Sequence, residues 1–261
     1  MYCKARYYVS KYKHMINLRK FTVLRPALLA AQRLLRRFGF ELTYTRVRGI
    51  ADAELYSPFF RPWRSEVWRT RLRAGDPRSV VPLEAKYLLH TLADDAMRRC
   101  HGELAECGVY KGGTAFILAE LARGGGRKLF LFDTFGGMPE TDPDKDLHRK
   151  GDFSDTSLGS VKDYLSGYSN IDFFPGFIPE TLTAVADRSF CFVHIDLDIY
   201  SAILSATSFF YSRIPAGGVL LYDDYGYASC PGARAAVDGF FANKPEVPQV
   251  LQTGQCVVRK L

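Results

Sequence analysis

Apolar residues follow two alternating rhythms from about residue 82 to residue 260 of this chain. Five short runs are almost wholly apolar: ELAECGV (103–109), RKLFLFD (127–133), IDFFPGF (171–177), SFCFVHID (189–196) and GGVLLYDD (217–224). Runs of this length and continuity predict strands buried on both faces. Longer stretches precede and separate them, with apolar residues three and four apart, the spacing of one helix face. They span 83–100 (Leu83, Tyr87, Leu88, Leu92, Met97), 114–122, 156–168, 199–214 and 232–243, with a short helix or turn at 179–187. Residues 247–260, VPQVLQTGQCVVRK, alternate as an antiparallel pair does. Strands alternating with helices predict an α/β protein, its mostly parallel sheet covered on both faces and closed by a C-terminal antiparallel hairpin. Ligands of such sheets bind beyond the carboxyl ends of the strands. The residues just after each run are therefore the ones to read.

The first 79 residues break this rhythm. Between Leu24 and Phe38, apolar residues at Leu24, Leu28, Ala31, Leu35 and Phe38 predict a helix interleaved with Arg25, Arg33, Arg36 and Arg37. It reads as a helix packed on its own domain or on a second subunit; the alternative is a basic amphipathic helix on an anionic membrane surface. Residues 50–80, with YSPFFRPW and AGDPRS, predict an irregular aromatic connection. The expected organisation is a basic helical arm and connection over 1–79 and one domain over 80–261.

Charge sharpens that division. Residues 1–50 carry 12 Lys/Arg against the single acid Glu41, and the other 211 residues carry 23 against 27 acids. The formal +7 of the chain is thus an arm of +11 on a body of −4, which argues against nucleic acid as the main substrate. The composition, 47% hydrophobic and 24% charged, is that of a globular protein, and no window holds 18 uncharged apolar residues. Six cysteines (Cys3, Cys100, Cys107, Cys191, Cys230, Cys256) show no metal-ligand spacing, and the opening MYCKARYYVSKYK has no apolar core of a secretory signal. A reduced, cytoplasmic compartment is expected, with Cys107 and Cys191 as buried small hydrophobes.

Acids mark the strand ends. The first run leads through Glu106 and Gly108 into YKGG and a helix, a glycine turn that allows close backbone approach to a ligand. The second ends in Asp133, where a nucleoside ribose commonly finds a carboxylate; a helix cap or turn is the competing reading. The fourth ends in Asp196 and Asp198, the fifth in Asp223 and Asp224. If those strands are neighbours, Asp196, Asp223 and Asp224 converge and repel unless a hard divalent cation such as Mg²⁺ joins them. Asp198 then stands beside the metal as a free base, and His194, deeper in the strand, reads as a core histidine. The charged, Gly- and Pro-containing stretch 136–157 reads as a lid over the cleft.

Together the Glu-x-Gly loop, FDTFGGMP, FFPGFIPETL, HIDLDIY and PAGGVLLYDDYG resemble the macrocin O-methyltransferase (TylF) family, whose core is similar to that of catechol O-methyltransferase. The resemblance covers roughly residues 80–260. It implies a Rossmann-like doubly wound sheet and an S-adenosylmethionine- and Mg²⁺-dependent O-methyltransferase acting on a sugar hydroxyl of a glycosylated metabolite or glycan. It also implies a homo-oligomer. By that resemblance Glu106, Gly108 and Tyr110 line the methionine side of the cofactor. Asp133 holds the ribose, with Thr134 beside it, and Phe177 and Ile178 flank the adenine. Asp196 borders the cofactor and, with Asp223 and Asp224, holds the metal. Asp198 is the general base, and Ser157 is a further cofactor candidate. The rival readings are a metal-dependent glycosyltransferase using the D-x-D of HIDLDIY and a binding module using the basic arm.

Overall fold

The computed structural model describes residues 61–261, together with Ala30, Ala31 and Leu34, which are helical. The remainder of the basic arm, with the membrane and self-association readings attached to it, lies outside the described residues. The chain divides into two compact units, Met1–Phe59 and Phe60–Leu261.

In the second unit the helices are α1 (Glu66–Arg71), α2 (Leu83–Arg99), α3 (Gly113–Gly124), α4 (Leu158–Tyr164), α5 (Tyr200–Tyr211) and α6 (Pro231–Phe241). The strands are β1 (Glu103–Cys107), β2 (Leu129–Asp133), β3 (Ile171–Pro175), β4 (Phe190–Ile195), β5 (Val219–Tyr222), β6 (Gln249–Val250) and β7 (Cys256–Arg259). They form one sheet in the order β3-β2-β1-β4-β5-β7-β6. The first five run parallel, while β7 pairs antiparallel with both β5 and β6. This is the mostly parallel sheet with a C-terminal hairpin that the pattern predicts, and the doubly wound, Rossmann-like order that the resemblance implies.

Alternate residues of each strand enter opposite layers. Phe130, Phe132, Leu220 and Tyr222 join Phe210 of α5 and Val237 of α6 on one face. Leu129, Leu131, Val219 and Leu221 join Leu89 of α2 and Leu118 of α3 on the other. The expected buried cysteines, Cys107 and Cys191, are fully enclosed. On α2 the buried face is Ala85, Lys86, Leu89, His90, Ala93 and Ala96 rather than the larger apolar residues of the predicted stripe. Small side chains let the helix approach the sheet closely, and Leu83, Tyr87, Leu92 and Met97 pack at its flanks.

The stretch that reads as an irregular connection holds α1, capped by Ser65, whose hydroxyl accepts from Trp68 N–H at 3.5 Å. It belongs to the body: Leu72 is fully buried, and the Trp68 ring meets Tyr87 edge-on at 4.7 Å. Among the described residues no helix is long and apolar enough to cross a membrane.

Candidate functional site

The strand order reverses between β1 and β4, and the backbone there continues past the formal strand ends. Asp196 N–H donates to Cys107 O at 2.8 Å and Asp223 N–H to Ile195 O at 3.0 Å. These two bonds bring the residues after β1, β4 and β5 to one edge. Gly108 sits in that seam with φ +87°; a Cβ there would lie 1.6 Å from Asp196 O, so no other residue fits. The loop continues through Tyr110, itself at φ +51°, to Gly112 and the start of α3.

Asp133 holds this loop. Its Oδ2 accepts from Val109 N–H at 2.6 Å and Tyr110 N–H at 2.9 Å, and its Oδ1 from Phe135 N–H at 2.6 Å. A carboxylate offers about four acceptor positions, so three of them serve the backbone. The Thr134 hydroxyl closes the following turn by donating to Gly137 O at 2.6 Å.

On the other side of the seam, oxygens of Asp196, Asp198 and Asp224 all lie within 4.8 Å of one another. Asp198 takes a left-handed backbone, φ +59°, and its N–H donates to Asp224 Oδ2 at 2.9 Å. Among the described residues no lysine or arginine pairs with any of the three; the nearest basic group is His148, its Nε2 3.6 Å from Asp198 Oδ1. Burial, and then the charges of its neighbours, hold Asp196 and Asp224 well above the usual carboxylate range. Asp198 is raised as well, by burial, with His148 and the Cys230 thiol pulling the other way.

Asp223 faces a different set. Its Oδ1 accepts from Gln255 Nε2 at 2.7 Å and lies 3.5 Å from His194 Nε2. His194 Nδ1 is 2.9 Å from Glu106 Oε1, and both side chains are wholly buried. Burial draws the His194 imidazole down, but its bonds to Asp223 and Glu106 outweigh that and raise it to about 9. His194 is therefore the core histidine expected, wholly buried, and it is held as a cation between two acids.

These elements wall a cavity of about 350 Å³ at the carboxyl ends of the strands. It is lined by Phe177 and Ile178 after β3, by Asp133 and Thr134 at the end of β2, by Gly108 and Tyr110 after β1, and by Asp196, Asp198, Asp223 and Asp224 after β4 and β5. The stretch 136–157 adds Gly137, Met138, Pro139, His148 and Phe153 to its lining. It is pinned to the body by Asp146, which accepts from Tyr200 N–H at 2.8 Å.

A family model described as macrocin-O-methyltransferase (TylF) matches residues 86–253, more than half of the chain. The chain belongs to this family. It is an O-methyltransferase of the S-adenosylmethionine-dependent class. One relative is the 8-demethyl-8-(2,3-dimethoxy-alpha-L-rhamnosyl)-tetracenomycin-C 4'-O-methyltransferase of Streptomyces olivaceus, 25% identical over 65% of this chain and 69% of that protein. Another is the demethyldecarbamoylnovobiocin O-methyltransferase of Streptomyces niveus, 26% identical over 54% of this chain; only 58% of that protein is spanned, less than two thirds. The solved O-methyltransferase NovP superposes with a TM-score of 0.61 at 22% identity, over 70% of this chain and 83% of its own. The calicheamicin methyltransferase CalS11 superposes at 0.58 and 15% identity, over 75% and 93%. At such identities the two structures speak for the fold alone.

Measured against the macrocin O-methyltransferase motifs, most of the expected residues share one cavity: Gly108, Tyr110, Asp133, Thr134, Phe177, Ile178, Asp196, Asp198, Asp223 and Asp224. Two do not line it. Glu106 is enclosed beneath it, and Ser157 is exposed, capping α4 by accepting from Ser160 N–H at 3.2 Å. Asp223, expected among the converging oxygens, has Oδ1 turned to Gln255, and Asp198 stands in the converging group instead. Gln255 and His148 escape the sequence reading. Gln255 lies in a hairpin turn 32 positions from its partner, and His148 is one polar residue of a charged, aperiodic loop.

Proposed function

We propose that this chain methylates a hydroxyl on the sugar of a small glycosylated acceptor, with a divalent cation at the aspartate cluster. The observation that carries the reading is the convergence of Asp196, Asp198 and Asp224 in a cavity that Gly108, Tyr110 and Asp133 also line. The names of the relatives, which methylate sugar-bearing natural products, favour a sugar hydroxyl over other acceptors. A glycosyltransferase is not favoured, since the family match covers the same strand ends.

The cofactor would lie along β1 and β2. Gly108 permits close backbone approach, Asp133 keeps one acceptor position for a ribose hydroxyl, and Phe177 and Ile178 offer apolar surface for a base. Glu106 acts through His194 rather than by touching the cofactor.

The donor set suits a hard dication, being all oxygen, convergent and, among the described residues, without a lysine or arginine partner. Asp196 and Asp224 would hold it with Asp223, whose Oδ1 is already fixed by Gln255. Such an ion supplies charge neutralisation and acidification of a bound hydroxyl. Asp198 would receive the acceptor proton: its raised affinity for protons, its fixed backbone and its place on the cavity wall support that role. The transfer itself is an in-line displacement, so positioning does most of the rest.

The reading is tested with the purified chain. S-adenosylhomocysteine should raise the melting temperature, and UDP and GDP should not. Incubation with S-adenosylmethionine, Mg²⁺ and a panel of glycosylated natural products should add one methyl mass to a sugar. Stabilisation by a nucleoside diphosphate but not by S-adenosylhomocysteine would sink it.

A further inference from the structure

We propose that His148, Asp198 and Cys230 form a second cation site, one for a soft divalent ion of the zinc class, and that filling it takes Asp198 out of methyl transfer. The binding claim stands on geometry alone, and the inhibition claim rests on the proposed role of Asp198.

Three ligand atoms of different kinds meet at one point: His148 Nε2, Asp198 Oδ1 and Cys230 Sγ all lie within 4.8 Å of one another. Asp198 Oδ1 is 3.6 Å from the imidazole nitrogen and 3.3 Å from the sulfur. Tetrahedral zinc with bonds of about 2.0–2.3 Å sets its ligands roughly 3.3–3.8 Å apart, so both separations already match. The three residues come from three places in the chain: the loop 136–157, the turn after β4 and the residue before α6. Only the tertiary fold assembles them.

Each ligand is held in place. His148 Nδ1 lies 3.1 Å from Asp152 Oδ2, the carboxylate–histidine arrangement that orients metal-binding imidazoles. With Nδ1 on Asp152, Nε2 is the ring nitrogen turned toward Asp198 Oδ1, so an ion placed between them would be shared by both. The Asp198 backbone is fixed by its bond to Asp224. Cys230 is a free thiol, 3% exposed. All three residues line the cavity, which leaves a fourth position open to water or an acceptor hydroxyl.

Chemistry separates this site from the neighbouring oxygen cluster. Mg²⁺ prefers oxygen and keeps its water, whereas imidazole and thiolate select zinc. Burial holds the Cys230 thiol protonated, and an entering ion must displace that proton, as thiolate-binding dications do outright. The two sites share the Asp198 carboxylate, so a zinc-class ion here leaves no free base beside the acceptor.

The test uses the full chain in excess Mg²⁺, titrated with Co²⁺ as a spectroscopic stand-in for zinc. One equivalent should give a thiolate-to-cobalt charge-transfer band in the near ultraviolet, abolished by added Zn²⁺. Cys230→Ser and His148→Ala, each confirmed as folded by its melting curve, should lose the band and weaken binding by at least about tenfold. No band in the wild type, or an undiminished band in Cys230→Ser, overturns the site. In methyl-transfer assays Zn²⁺ should suppress the wild type and spare Cys230→Ser, each measured against its own zinc-free rate. Equal suppression of both overturns the inhibitory role. A thiolate band in a chain that transfers no methyl group supports the site and counts only against the reaction proposed above.

Discussion

Two groups of carboxylates stand side by side at the ends of β1, β4 and β5, and the chain treats them oppositely. In the closed group, Glu106 and Asp223 flank the His194 imidazolium and the Gln255 amide joins the row. In the open group, Asp196, Asp198 and Asp224 face one another across the cavity wall, with His148 3.6 Å off as the nearest basic side chain among the described residues. An acid given an internal cation contributes to the fold. Acids left in mutual repulsion weaken it and become a place for something to bind. Asp223 belongs to both, its Oδ1 held by Gln255 and its other oxygen left for the cation; for the rest, the difference separates residues whose loss should reach stability from those whose loss should reach chemistry.

The sharpest way to break this comparison is to remove divalent ions. Chelation with EDTA should abolish methyl transfer and lower the melting temperature by the stabilisation the bound ion supplies, and Mg²⁺ should restore both. Full activity in chelator would show that the open group works without a cation. Next in size is Asp198→Asn, which should lower turnover by roughly 10²–10⁴-fold, the usual contribution of a positioned base. S-adenosylhomocysteine and Mg²⁺ should bind this variant as before; turnover near the wild-type rate would return Asp198 to the ligands.

The closed group should behave in the reverse sense. His194→Leu leaves Glu106 and Asp223 buried without their cation, a change that costs about 3–5 kcal/mol of folding stability. A stability loss in urea unfolding of less than a third of that would mean the imidazolium holds little together. The smallest expected effect is a control outside both groups, at His90. Burial first, and then Arg71, lower this imidazole from 6.5 to about 4. The unfolded chain binds the proton more tightly, so the contribution of neutral His90 is complete above about pH 6.5 and is lost as pH falls toward 4. It amounts to on the order of 1 kcal/mol once solvent screening near the surface of the body is allowed for. His90→Gln should flatten that acid limb; an unchanged slope would reject the assignment.

Much of the framework was legible because periodicity and strand-end chemistry are local. Continuous apolar runs mark strands buried on both faces, and acids after them have few places to go except a ligand or a cap. Asp133 turned out to be both: a cavity residue and the clamp on the Val109–Tyr110 backbone. Other features were not legible. A histidine inside an apolar strand has the same local signature whether it is inert or ionised. Ser157 sits next to the loop lining the cavity in sequence, yet its hydroxyl serves the first turn of α4. The α2 stripe misled because large apolar residues at helical spacing outweigh alanines in any pattern, whereas close packing on the sheet selects the alanines.

The amino-acid order by itself determined the parallel sheet, its hairpin and the presence of acids at four strand ends, because each follows from residues within one element of each other. The tertiary structure alone decided which acids share a cation inside the protein and which face the cavity. It also decided that His148 and Cys230 meet at Asp198. Those outcomes depend on contacts between groups 26 to 88 positions apart, such as Glu106 with His194 and Asp198 with Cys230. Distances of a few ångströms set electrostatic and coordinative energies, and no local pattern carries them.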